Sequence, residues 1–212
     1  MKKIRSLSKE KIDEISALIG ASFWDYPYES GEGGLKPFFS SKQAMTEYMK
    51  SFVIAGIESG TFYSTDHGEG YILITDTNGN HPNFRSIIKM ARQMKNALGG
   101  WRKLFSFLKQ ANSGGDKKSL EIQMKKQKKP YVKVEMLIVT EKYQGQGYMR
   151  KLMEFAYKMA DKNGCPCILD TDAKGKCDRY VHLGMNLVQI RTAAGCKIYD
   201  LMYSKERTAY YV

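Results

Sequence analysis

Apolar residues first recur at helical spacing. Ile12, Ile15, Leu18 and Ile19 follow Ser8, a residue suited to cap a first turn, and predict a helix ending near Ser22. A second helix is predicted from near Ser41 to about Glu58, with Ala44, Met45, Tyr48, Met49 and Phe52 toward the core. The period then shortens. Residues 61–65 and 70–75 flank a tight Asp66-His67-Gly68-Glu69 turn and read as a hairpin. Helical spacing returns over 84–98, is broken at Gly99-Gly100, and resumes from Trp101, before the loop-like 111–118. Residues 121–130 read as polar and exposed. The run 131–140 is rich in β-branched and apolar residues and predicts a strand buried on both sides toward its end. A helix over 149–164, with Leu152, Met153, Phe155, Ala156, Met159 and Ala160 inward, ends at Asn163-Gly164, and 165–171 is a further strand. Strand, turn, helix and strand in that order imply a right-handed crossover. A short helix near 176–183 and an antiparallel pair, 186–193 and 197–204, split by Ala194-Gly195, close the chain.

Between the first two helices lies FWDYPYESGEGGLKPFF, where Pro27, Pro37 and the glycines stop a helix. Phe23, Trp24, Tyr26, Tyr28 and Phe38 can serve there as a pocket wall or as rings that pin the loop to the core.

Composition narrows the class. A chain of 212 residues suits one domain or two small ones, here expected as a single domain over 1–212, and 42% hydrophobic with 26% charged residues is ordinary for a soluble protein. There is no run of 18 apolar residues, so no membrane-spanning helix is expected. The N-terminus lacks the apolar core of a signal peptide, so a cytoplasmic location is expected. The net charge of +12 is uneven: residues 81–130 hold 13 Lys and Arg against Asp116 and Glu121, and the remainder is nearly neutral. This basic helical segment, about 82–130, reads as an insertion. Its partner is open among nucleic acid, a membrane surface and an anionic ligand, with a plain solvated insertion as the alternative. Packing on its own domain is favoured over the membrane for its amphipathic helices. Cys165, Cys167, Cys177 and Cys196 lack the spacing of a zinc knuckle and read as reduced, buried thiols, so no metal is expected.

The candidate chemistry lies in EKYQGQGYMRKLM, 141–153. Gly145 and Gly147 separate a strand from a helix, where unpaired backbone N–H groups and the helix dipole favour an approaching phosphate. No Gly-Lys-Ser/Thr follows, which excludes a Walker loop, and Arg150 stands where a dinucleotide fingerprint needs its third glycine. The stretch VEMLIVTEKYQGQGYMRKLM resembles the acetyl-CoA signature Q/R-x-x-G-x-G/A of the GNAT N-acetyltransferase superfamily, with Gln144 and Gly147 in register and Met149 in place of the last small residue. LDTDAKGKCDRYVHLGM, 169–185, resembles the ending of its puromycin acetyltransferase-like branch, with Tyr180 four residues before Gly184 and Met185 for the usual aromatic.

The resemblance implies an α/β (α+β) GNAT fold: a mixed, mostly antiparallel sheet with a V-shaped splay after the signature strand and helices on both faces. It implies an acetyl-CoA co-substrate and transfer of an acetyl group to a primary amine of a small molecule in a ternary complex. Leu137, Ile138 and Val139 would meet the pantetheine. Gln144, Gly145, Gln146, Gly147, Tyr148, Met149 and Arg150 would line the pyrophosphate, and Lys176 stands where an asparagine commonly contacts CoA. Tyr180 is the expected general acid, with a packing tyrosine as the alternative, and Glu135 the expected base, either a lone acid among apolar strand residues whose pKa burial would raise or a residue facing solvent on an alternating strand. Trp24, Tyr26 and Tyr28 are the expected acceptor walls, since aromatic rings suit a cationic amine. His67, His81 and His182 receive no role. Nucleic acid is not the expected partner, and a homodimer is compatible with the chain. The competing reading is a protein of this fold that binds acyl-CoA or nucleic acid without catalysis.

Overall fold

A computed structural model describes residues 1–30, 32–33, 35–112, 117–193 and 195–205. The predicted loop at 111–118 and the break at Ala194 fall partly outside these residues. The order is β1 (Lys2–Lys3), α1 (Lys9–Trp24), α2 (Lys42–Ser59), β2 (Phe62–Ser64), β3 (Gly70–Asp76), α3 (Phe84–Leu98), α4 (Trp101–Asn112), α5 (Leu120–Lys126), β4 (Val132–Val139), α6 (Tyr148–Lys162), β5 (Cys167–Thr171), α7 (Lys174–His182), β6 (Asn186–Ala193) and β7 (Cys196–Tyr203). Helix starts carry their own acceptors: Ser8 Oγ takes Lys11 N–H at 3.2 Å, Ser41 Oγ takes Ala44 N–H at 3.1 Å, and Asn83 Oδ1 takes Ser86 N–H at 2.9 Å. Gly60 and Gly99 stop α2 and α3 in the left-handed conformation.

The seven strands form one sheet in the order β1-β2-β3-β4-β5-β7-β6. Every pairing is antiparallel except β4 with β5. That parallel pair is joined only at Val132↔Cys167 and Lys133↔Ile168, after which β4 runs on to Val139 without β5 beside it. The expected splay is therefore present. On the other edge of β4 the pairing with β3 skips Glu135, which sits in a β-bulge between Val134 and Met136.

Helix α6 covers one face, where Leu152, Met153, Ala156 and Ala160 meet Ile72, Val132, Val134 and Leu201. Helices α1 to α4 cover the other, burying Ile15, Ile19, Met45, Val53, Leu98 and Phe107 against Phe62, Leu73 and Ile138. The sequence expectation for 121–130 is corrected in its first half. Leu120 and Met124, one helical turn apart on α5, are buried with Tyr131, Ile168 and Met202, whereas residues 125–130 are exposed. Two apolar residues in a lysine-rich stretch are too few to register as a periodic stripe. The two-residue β1 is an addition. Cys165, Cys167 and Cys177 are buried as expected, Cys177 on α7, whereas Cys196 is half-buried.

Candidate active site

The turn leaving β4 is built on backbone conformation. Gly145 (φ 75°) and Gly147 (φ 81°) are both left-handed, and a Cβ at either would meet no atom within 4 Å. Glycine is needed here for its φ, not for space. Gly147 caps α6 without a side-chain bond, and the first bond into the helix is Lys151 N–H to Gly147 O at 3.1 Å. The N–H groups of residues 145–150 have no backbone partner among the described residues. The turn residues 144–147 are solvent-exposed, and free N–H groups at an exposed helix start are the arrangement that receives an anion. Gln144 folds back to give Nε2–H to Val139 O at 3.3 Å, and Gln146 Nε2 reaches Lys142 O at 2.9 Å. Met149 packs against the α6-side core, so its bulk leaves the mouth of the turn clear. Arg150 is exposed at the first turn of the helix.

Three features beside this turn were not read from the sequence. Lys142 and Lys151 lie over the Tyr143 and Tyr148 rings, at 4.7 and 4.8 Å, and with Arg150 make the mouth cationic. Glu69, from the β2–β3 turn, supports Tyr148 from below. Hydrogen bonds from Thr65, its own backbone N–H, His67 and Tyr148 hold its carboxyl down at about 2. A charged residue in a hairpin turn carries no sequence signal that it will meet a helix start so far along the chain.

Leu137, Ile138 and Val139 lie where β4 has left β5. β3 takes one edge of this segment, through Ile72, Tyr71 and Gly70, and the other edge faces the splay. Across the gap, α7 begins just after β5 and carries Lys176 and Tyr180 one turn apart. Tyr180 packs against the α6-side core. Burial, reinforced by the Asp172 carboxylate, pushes its phenol up to about 12, so it holds its proton at neutral pH.

Lys176 is turned toward the aromatic loop. Its Nζ donates to Asp172 Oδ1 at 2.9 Å and Tyr28 Oη at 3.0 Å. It lies 4.3 Å from the centroid of Tyr26, 4.7 Å from Tyr28 and 4.9 Å from Phe23. Burial lowers its pKa despite the facing carboxylate. Asp172 is buried too, and its Oδ2 has no partner among the described residues. Burial and Asp172 together raise the Tyr28 pKa. Tyr26 and Tyr28 are thus brought together with Lys176, while Trp24 stands apart with the Lys36 ammonium 5.0 Å over its ring. Outside this cage, Tyr26, Pro27, Tyr28, Glu32 and Lys36 line an open groove of about 430 Å3. Asp172 and Lys176, four residues apart at a helix start, were a legible sign of a local ion pair.

Glu135 differs from the expected isolated acid. Its carboxylate is 2.8 Å from Lys133 Nζ and accepts from Thr75 Oγ1 at 2.9 Å. Lys133 also meets Glu121 of α5 at 2.6 Å. Two-residue alternation along β4 puts Glu135 on the same face as Lys133 rather than among apolar side chains. His67, His81 and His182 are exposed. No cluster of three or more metal-binding side chains occurs among the described residues.

The acetyltransferase (GNAT) family model matches residues 110–184, from α4 through the glycine turn to Gly184. No curated protein matches the chain. Among solved structures, an N-acetyltransferase from Staphylococcus aureus Mu50 is similar over 95% of this chain and 100% of its own, at 13% identity and a TM-score of 0.55. The polyamine N-acetyltransferase of Drosophila melanogaster, an enzyme that forms N-acetylagmatine, is similar over 94% and 97% at 12% identity and a TM-score of 0.53. A mosquito arylalkylamine N-acetyltransferase-like protein is similar over 94% and 97% at 13% identity and a TM-score of 0.51. At these identities the likeness is one of fold. The chain has the architecture of the GNAT acetyltransferases, with the family's sequence pattern on the segment that carries the turn.

Proposed function

We propose that this chain is an acetyl-CoA-dependent N-acetyltransferase, in the puromycin acetyltransferase-like branch, acting on a primary amine of a small molecule in the cytoplasm. The observation that carries the reading is the left-handed Gly145–Gly147 turn opening at the splay between β4 and β5, within the stretch that the family model matches. The N–H groups of residues 145–150 would hold the pyrophosphate, with Gln144 bracing the turn and Lys142, Arg150 and Lys151 adding positive charge. Leu137 to Val139 would present their free edge to the pantetheine. Acetyl-CoA supplies the thioester: the amine nitrogen bonds to its carbonyl carbon as the carbon–sulfur bond breaks. Tyr180 gives its proton to the departing thiolate, and Glu135 takes the proton lost by the amine, with Lys133 and Thr75 orienting its carboxylate.

The acceptor side is the groove at the aromatic loop. Tyr26 and Tyr28 offer ring faces and Glu32 offers negative charge, a setting for a cationic amine, with Trp24 an outlying wall behind Lys36. Lys176 shapes this groove by holding the loop. The amine-acetylating enzymes that share the fold support the same substrate class. The test is release of free thiol from acetyl-CoA with a panel including agmatine, polyamines and arylalkylamines. Turnover with at least one amine is expected. No turnover with any, together with tight salt-sensitive RNA binding, would identify a non-catalytic binder instead. Tyr180→Phe is expected to lower kcat while keeping KM for acetyl-CoA, and an unchanged rate removes the acid role.

A further inference from the structure

We propose that the face formed by α3 and α4 docks on the surface of an anionic membrane. This inference does not depend on acetyl transfer. The two helices bury Met94, Leu98, Leu104 and Phe107 in the core, yet only part of their apolar stripe is used. Phe84 is 75% exposed, Phe105 63% and Trp101 46%, and Ile87, Ile88 and Leu108 are exposed as well. The Trp101 and Phe105 rings stack at 6.0 Å, and the Lys95 ammonium lies 5.9 Å from the Trp101 centroid. At 100° per residue, the exposed stripe is bounded on one side by the core-facing residues. On the other side it is bounded by Arg85 and Arg92 of α3 and by Arg102 and Lys109 of α4. None of these four cations pairs with an acid among the described residues. Apolar side chains beside a cationic rim match the depth profile of an acidic bilayer surface, apolar below and anionic at the headgroups.

Charge and chemistry select this occupant over others. A second copy of the chain would bring the same cations against themselves. An RNA would satisfy the cations and stack on Trp101 and Phe105, but it leaves Ile87, Ile88 and Leu108 without a use. No helix among the described residues is long and apolar enough to cross a membrane, so contact is in the plane of the surface.

The test is sedimentation of the full chain with vesicles of mixed phosphatidylglycerol and phosphatidylcholine, and with phosphatidylcholine alone. Binding to the acidic vesicles is expected, weakened by salt, with a blue shift of tryptophan fluorescence. The double variant Trp101→Gln/Phe105→Glu changes exposed side chains only and is expected to keep its circular dichroism and lose affinity by at least about tenfold. The proposal is overturned by an absence of vesicle binding or by binding that the double variant retains. It is also overturned if the native chain forms dimers that the double variant abolishes, or binds RNA in preference to acidic vesicles.

Discussion

Glu121→Gln tests how α5 is held beside the proposed base, Glu135. Glu121 Oε2 meets Lys133 Nζ at 2.6 Å and Oε1 meets Lys125 Nζ at 2.6 Å. Burial would raise its pKa, but the two ammonium groups override burial and hold the carboxyl at about 2, against an ordinary 4.5. Glutamine imitates the protonated acid, so the pKa displacement is a measure of what the charge contributes. At 1.36 kcal/mol per pH unit that is about 3 kcal/mol at neutral pH. For a chain of this size it corresponds to a fall in Tm of roughly 6–12 °C. The sign in pH follows from the depressed folded-state pKa. The contribution is complete above pH 4.5 and is lost as the pH falls through 2. Thermal melts of the native chain and of Glu121→Gln should therefore differ most at pH 5–7, and by less than about half as much at pH 3. A Tm gap of constant size from pH 7 to pH 3 would refute the charge argument and assign the effect to packing. Glu121→Gln should also alter the pH dependence of kcat, because Lys133 is then left to Glu135 alone.

Three further outcomes are expected. Gly147→Val places a β-branched residue at φ 81°. With open space around it, the cost is about 1–2 kcal/mol of backbone strain, seen as a Tm lowered by roughly 2–8 °C and a raised KM for acetyl-CoA in initial-rate assays. Lys176→Met leaves both Asp172 oxygens unpaired in a buried site and should cost about 3–5 kcal/mol in urea unfolding. Arg191 Nε lies 3.1 and 3.0 Å from the two Asp200 oxygens, and Asp200 is 1% exposed. Arg191→Met should destabilise by about 3–5 kcal/mol, and Arg191→Met/Asp200→Leu should recover most of it, since the buried charge is then removed with its partner. A double variant as unstable as the single one would contradict that account.

How much of this was legible depended on how local the cause was. Helices α1, α2, α3 and α6 were readable because their apolar residues repeat over several turns and their caps adjoin them. The glycine turn was readable because a positive φ between a strand and a helix singles out one residue type. Leu120 and Met124 were not, since the partners that bury them are Tyr131 just before β4, Ile168 of β5 and Met202 of β7. The environment of Glu135 was legible in part: alternation along β4 puts Lys133, two residues away, on its face, whereas Thr75 reaches it from another strand, β3.

The aromatic segment is pinned and also lines an open groove. Its inner rings, Phe23, Tyr26 and Tyr28, enclose the Lys176 ammonium and tie the loop to α7, as a pinned loop requires. The outer sides of Tyr26 and Tyr28 face the groove with Glu32 and Lys36, as a pocket wall requires. Because one ring serves both, truncating Tyr28 changes the stability of the loop and the shape of the groove together, and its kinetic effect cannot be assigned to recognition. Glu32 is not independent either, since its Oε1 takes the Lys174 N–H at 2.5 Å. Lys36 touches the groove from outside the cage, over the Trp24 ring. Replacing it with glutamate would change the charge that an incoming amine meets while leaving Lys176 and Asp172 in place. A cationic acceptor should then bind more tightly through KM alone, whereas a role of the loop confined to folding predicts no change.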